Sequence, residues 1–446
     1  MRVHFIAIGG AAMHNLALAL QQNGLSVTGS DDEINEPSRS RLKSAGLLPE
    51  HTGWFPERID QSLDAVILGM HARADNPELL RAQELGIAVY SYPEFLYEQS
   101  RNKKRVVIGG SHGKTTITAM VLHVLNASGM HFDYMVGSQL KGFDTMVKLS
   151  TDAPVIVLEG DEYLASPIDR RPKFHLYHAD TAVISGIAWD HINVFPTFDT
   201  YLEQFRIFAN GIPEQGCLLY CAEDQQVRTI AESAGPVKRK TAYGLPPYEI
   251  RNGITRLLTA FGEIPLQVFG KHNLMNLEAA RYVCEDLGID PEAFYASIST
   301  FAGAARRLEP VLRTAERAVF RDFAHSPSKV KATIEAVREQ YAGWNLLACL
   351  ELHTFSSLTP EFLNEYAGSM DLCDHALVYF NPATLQHKRL APISIDQVRD
   401  AFARETIQVF NAPEPLRCEL HNQQSPQTVL LMMSSGTFDG VRLDEL

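Results

Sequence analysis

A chain of 446 residues with a formal charge of -13, 45% hydrophobic and 21% charged residues is long enough for about three domains and a sizeable buried interior. The acidic balance argues against a general nucleic-acid binder and leaves anionic small substrates to local cationic groups. No apolar run reaches the roughly 18 residues of a membrane span, and six cysteines without CxxC spacing are the usage of a reducing compartment. A cytoplasmic protein without membrane insertion, a monomer or weak homo-oligomer, is therefore expected.

In chain order, residues 3–8 read as a short apolar strand, Gly9 and Gly10 as a turn, residues 13–22 as a helix and residues 25–29 as a second strand. This is a β-α-β nucleotide-binding start. The glycine fingerprint is incomplete, because Ala7 and Ala12 stand where glycines are expected, and Asp31 and Asp32 read equally as acidic partners or as a solvated loop. The Gly pair falls where a strand turns into a helix, which argues against reading the N-terminus as a signal peptide. Further strands are expected at 65–68 and 87–90, and the first domain ends near the basic stretch Arg101 to Arg105.

The next segment, VVIGGSHGKTTITAMVLHVL, holds the strongest signal. A β-branched strand runs into Gly110, Ser111, His112, Gly113, Lys114, Thr115 and Thr116, and residues 116–125 read as a helix. Loop amides and a helix N-terminus can surround phosphate oxygens, Lys114 can reach the β/γ phosphates, and the Thr115 hydroxyl can ligate Mg2+. Ile108 stands where the commoner spelling of such loops has a glycine. A nucleoside triphosphate with Mg2+ is thus expected.

Strands at 155–158 and 182–187 are apolar enough for a parallel sheet buried on both faces. Glu159 follows the first of them as the candidate metal carboxylate, and Asp161 and Glu162 concentrate negative charge that favours a nearby cation, an exposed acidic turn being the alternative. Asp190 and His191 follow the second strand at the edge where open α/β sheets place ligands, and His191 is a candidate metal ligand. Cys217 and Cys221 flank an apolar strand, which wins over a metal site. At the helix that begins in GKHNLMN, His272, Asn273 and Asn276 lie in the first turns; an adenine contact and simple capping by Asn273 are both open.

Beyond Arg306 and Arg307, strands at 318–321, 346–351, 376–380, 407–410 and 428–433 alternate with helices, and Asp322 and His325 follow the first of these. The fold class is α/β in three domains: an N-terminal Rossmann-like unit (1–100), a central P-loop ATPase-like unit (101–305) and a C-terminal Rossmann-like unit (306–446).

Taken together, GGSHGKTT, EGDEY, WDHINVF, GKHNLMN, ARRLE and RDFAHSP resemble the successive signatures of the Mur ligase family across nearly the whole chain. The resemblance implies an ATP-dependent ligase joining a carboxylate to an amine, with a UDP-sugar domain first and a C-terminal domain that receives the amine and closes the site. It makes Lys114 the γ-phosphate contact, Thr115 and Glu159 ligands of one Mg2+, and His191 a ligand of a second. Asn276 would hold adenine, Arg307 approach the phosphates, Asp322 the ribose side, and His325 help place the amine. Some relatives carry a carbamylated lysine upstream of the DH motif; the comparable spacing here falls on His178, so no carbamate is expected.

Within the family, AIGGAAM and TGSD are similar to the subgroup that takes UDP-N-acetylmuramate itself. The stretch containing Tyr163, Asp169, Arg171, Lys173, Phe174 and Tyr177, with Ser434 to Gly440, is more similar to members that add the tripeptide L-alanyl-γ-D-glutamyl-meso-diaminopimelate than to those that add L-alanine. Departures stand at Ala7, Ala12, His14, Asn15 and Ser326. A nucleotide or muramyl-metabolite sensor without ligase activity is the alternative of another class, and intact Lys114, Glu159 and His191 argue against it.

Overall fold

Four sheets organise the computed structural model, which describes residues 1–189, 194–423 and 425–441. The first is all parallel, in the order β2-β1-β3-β4, from β1 (Arg2–Ile6), β2 (Ser26–Ser30), β3 (Ala65–Leu68) and β4 (Val89–Ser91). β1 stops two residues before the expected end because Ala7 turns the chain: its φ is 69°, and the amides of Ala7 and Ile8 both donate to the Ser30 carbonyl. Two helices carry their own start signals. Ser91 and Glu94 form a capping box for Tyr92–Ser100, and the Asn76 side chain accepts from the amides of Glu78 and Leu79.

The second sheet has the order β11-β10-β9-β5-β8-β6-β7. It contains β5 (Lys104–Gly109), β6 (Asp133–Met135), β7 (Val147–Lys148), β8 (Val155–Glu159), β9 (Thr181–Ile184), β10 (Cys217–Cys221) and β11 (Arg239–Tyr243). Its core strands β5, β8 and β9 run parallel and are almost wholly buried, as their unbroken apolar sequences require. β9 ends at Ile184 and not at 187, because Ser185 and Gly186 leave the sheet to close against the loop after β5: Ser185 N donates to Gly109 O, and Ser111 N to Gly186 O at 2.9 Å.

A three-stranded antiparallel sheet, β12 (Tyr248–Arg251), β13 (Ile254–Thr259) and β14 (Gly262–Pro265), follows, with no counterpart among the sequence expectations. The last sheet has the order β15-β16-β20-β17-β18-β19, from β15 (Glu309–Arg313), β16 (Arg317–Asp322), β17 (Asn345–Leu352), β18 (His375–Phe380), β19 (Gln408–Phe410) and β20 (Thr428–Met433). All its pairings are parallel except β15 with β16. Its larger core, including Phe320, Leu350, Val378 and Leu431, packs under the helix Pro327–Gln340, and the opposite face, including Val319, Cys349 and Met432, lies under Leu416 and Leu420.

The chain divides into two compact units, one of Met1–Gly244 with Ala279–Phe294, the other of Leu245–Glu278 with Tyr295–Leu446. Within the first, the N-terminal sheet is tied to the central one by side chains: Met146 N donates to Asn15 Oδ1 at 3.0 Å, Asn23 to Leu149 O at 2.8 Å and Arg41 to Asp144 O at 2.9 Å. Five cysteines are buried, with Cys217, Cys221 and Cys284 in the first unit and Cys349 and Cys373 in the second; Cys418 is exposed. Among the described residues no helix is long and apolar enough to cross a membrane.

Candidate active site

The loop between β5 and the helix Lys114–Ala127 needs its glycines. Gly113 has φ 80° and Gly110 φ 131°, and a Cβ on Gly110 would lie 2.1 Å from the Ser185 hydroxyl. The helix starts at Lys114, two residues earlier than the sequence reading, so its first amides belong to the loop. Ser111 and His112 are pinned from β9's end: Ser111 Oγ donates to Gly186 O and accepts from Ala188 N, while Ser185 Oγ donates to His112 O.

Lys114 Nζ donates to Gly110 O at 2.6 Å and to Glu162 Oε2 at 2.5 Å. Burial would lower the pKa of this ammonium, but Glu162, Asp161 and Glu159 outweigh that and hold it above the usual lysine range. Thr115 Oγ1 donates to Glu159 Oε1 at 2.9 Å, and Gly137 N donates to Glu159 Oε2 at 2.8 Å. Hydroxyl and carboxylate thus meet at the carboxyl edge of adjacent strands, Glu159 being 8% exposed. Among the described residues no group of three or more His, Cys, Asp or Glu is set to hold a metal. One carboxylate and one hydroxyl beside a phosphate loop suit Mg2+, which keeps waters and takes its remaining ligands from nucleotide phosphates. Asp190 and His191 lie outside the described residues.

Asp161 is paired with Lys173 at 2.6 Å, and Arg171 with Asp169 at 2.6 Å and Glu94 at 3.4 Å. His178 sits elsewhere. It precedes β9 at the amino edge of the sheet, its carbonyl accepting from Arg105 and its ring packing on Tyr97. In the N-terminal turn Asp31 is buried and accepts from Gly9 N at 2.6 Å, which rules out a solvated loop for it, whereas Asp32 is exposed.

The second unit holds the other expected residues, with Arg307, Asp322 and His325 around the end of β16. Asp322 accepts from Leu308 N at 2.7 Å and from Ala324 N at 2.6 Å. It thereby anchors the loop that carries Arg307, whose guanidinium lies 4.6 Å from the Phe323 ring centroid. His325 Nδ1 bonds Phe323 O at 2.7 Å. Burial pulls the His272 pKa down against the opposing pull of Asp322. Asn273 does not cap: it lies inside the helix Lys271–Asp286 and donates back to Phe269 O, and Asn276 follows one turn later, 8% exposed.

Sequence reasoning had missed Gly137, Ser185 and Gly186. Nothing local signals Gly137, whose role comes from the pairing of β6 with β8.

Residues 2–104 match the profile described as Mur ligase family, catalytic domain, and residues 108–284 match the Mur ligase middle domain. A UDP-N-acetylmuramate–L-alanine ligase from Chlorobaculum tepidum is 30% identical over 97% of this chain and 92% of its own. The chain belongs to the Mur ligase family. As a Mur ligase it is an ATP-dependent, ADP-forming amide ligase that works with Mg2+. Solved Mur ligases share its fold. An alanine-adding enzyme from Thermotoga maritima has a TM-score of 0.71 at 20% identity, covering 98% of this chain and 96% of that one. A murein peptide ligase from Psychrobacter arcticus has a TM-score of 0.67 at 22% identity, covering 99% and 97%.

Proposed function

We propose that the chain joins the lactyl carboxylate of UDP-N-acetylmuramate to the amine of L-alanyl-γ-D-glutamyl-meso-diaminopimelate, in the recycling of cell-wall peptide in the cytoplasm. The observation that carries ligation is the meeting of Lys114, Thr115 and Glu159 at one phosphate loop. A carboxylate oxygen attacks the γ-phosphorus of ATP, the bond to the β-phosphate oxygen breaks, and ADP leaves. The amine then attacks the acyl carbon, loses a proton, and phosphate departs. Mg2+, when bound, neutralises charge on the phosphate oxygens. Positioning of this kind supplies about 7–11 kcal/mol.

In this reading residues 1–100 bind the UDP-sugar, 101–305 the ATP, and 306–446 the amine. The amides and hydroxyls of Gly110 to Thr116 cradle phosphate with Lys114 at the γ position; Thr115, Glu159 and His191 serve the metal. Asn276 takes adenine, Arg307 the phosphates, Asp322 the ribose side and His325 the amine. Exclusion of water from the acyl phosphate gives the C-terminal domain a reason to close.

The tripeptide is supported by the stretch from Tyr163 to Tyr177 and by Ser434 to Gly440. The second reading, L-alanine, is favoured by the Chlorobaculum relative, whose name specifies that amine. ADP release in the presence of UDP-N-acetylmuramate, with each amine in turn, separates them: release that needs alanine and ignores tripeptide overturns the first. Lys114→Ala is expected to abolish release with either amine while the fold survives; retained turnover removes Lys114 from its role.

A further inference from the structure

Lys114 is already engaged before any nucleotide is considered. Its partner Glu162 is 1% exposed, and the second oxygen of that carboxylate accepts the Tyr201 hydroxyl at 3.0 Å. Tyr201 is itself fully buried in the helix Phe198–Asn210, its ring packed 5.4 Å from that of Phe195 and 5.2 Å from that of Phe205. A phenol held on both sides presents its hydroxyl in one place, so Glu162 is fixed at one oxygen by the protein core and holds the mobile ammonium with the other. The neighbouring acids are committed differently: Asp161 to Lys173, Glu159 to Thr115 and Gly137.

We propose that Glu162 is a stand-in for the γ-phosphate and that Tyr201 is the positioning residue that lets the exchange happen. Glu162 keeps the Lys114 ammonium seated over the loop until ATP arrives. The lysine then crosses to the nucleotide, and the Tyr201 hydroxyl retains the released carboxylate so that it does not follow the cation towards the phosphates. Two consequences are physical. A long flexible side chain is ordered in advance, which favours turnover, and an anion must be displaced, which weakens ground-state binding of ATP. The inference rests on Lys114 being the γ-phosphate contact.

Glu162→Gln and Tyr201→Phe in the full chain test it, with ATP and ADP affinities measured calorimetrically in the presence of Mg2+ and kcat and KM measured from ADP release. Glu162→Gln keeps the shape and removes the competing charge, so ATP binds roughly tenfold more tightly while kcat falls roughly tenfold. Tyr201→Phe keeps the charge and the ring packing but removes the phenol's hydrogen bond to the carboxylate, so ATP binds several-fold more weakly. ADP, which lacks the γ-phosphate, moves less than ATP in both. General loosening of the site would shift both variants the same way and ADP along with ATP, and that result overturns the proposal, as does unchanged ATP binding in both. Thermal melts establish that each variant is folded; should Glu162→Gln not fold, the ATP-over-ADP difference in Tyr201→Phe decides. A wild-type chain that binds ATP and ligates neither amine overturns the proposed function and leaves the Glu162 exchange intact.

Discussion

Gly186→Ala perturbs the phosphate loop from the segment that follows β9. The backbone at Gly186 does not require glycine, since its φ lies outside the left-handed region. The obstacle is space: a Cβ there would lie 2.1 Å from Cε1 and 2.2 Å from Nε2 of His112, where ordinary contacts run 3.4–4 Å. The His112 ring must swing away from the position it holds in the loop. Overpacking of this kind costs about 1–3 kcal/mol. For a unit of this size that is a fall of about 2–12 °C in Tm. Nucleotide affinity is expected to drop with it, because the displaced ring sits inside the loop. Thermal melts and ATP titrations of Gly186→Ala, His112→Ala and the double variant measure the coupling. If the clash is the cause, the double variant regains most of the Tm lost in Gly186→Ala. An unchanged Tm in Gly186→Ala, or no recovery in the double variant, refutes the reasoning.

Glu159→Gln places an amide group against one of two donors, the Thr115 hydroxyl or Gly137 N. A loss of about 1–3 kcal/mol in stability is expected, together with a rise of more than about tenfold in the Mg2+ concentration needed for half-maximal ADP release; an unchanged Mg2+ requirement removes Glu159 from the ligand set. Stability should also fall with acid. Burial lowers the pKa values of His14, His175 and His272 below 6.5 in the fold. The unfolded chain therefore takes up protons first as the pH drops through 6.5, and stability declines until the folded values are reached. At His14 the geometry agrees: Nδ1 donates to Gly10 O and Nε2 accepts from Asn15, so a second ring proton would face an amide N–H. Denaturant midpoints between about pH 7.5 and about pH 5.5 check this, and a midpoint that rises towards acid contradicts it.

The loop at Lys114 was legible because every residue it needs lies within one strand, turn and helix. Ala7 shows the opposite situation. It occupies a glycine position in the N-terminal turn and adopts the left-handed φ of 69° that the position demands, so conformation persists where the residue signal has been lost. Asn15 departs from the family pattern in the N-terminal turn. Its role depends on Met146, 131 residues away, and no local pattern encodes that pairing. The sheet β12-β13-β14 went unseen because its strands are short and largely solvated, and burial alternates only along β13. Spacing along the chain also does not say at which edge of a sheet a residue emerges, and His178 precedes β9 at its amino edge.

The distribution of thiols turns the chain into its own unfolding reporter. A thiol reagent should modify Cys418 in the folded protein and reach the others only when their surroundings open. Because Cys217, Cys221 and Cys284 belong to one unit and Cys349 and Cys373 to the other, the order in which these side chains become labelled during slow denaturation would reveal which half melts first. No engineered probe is required.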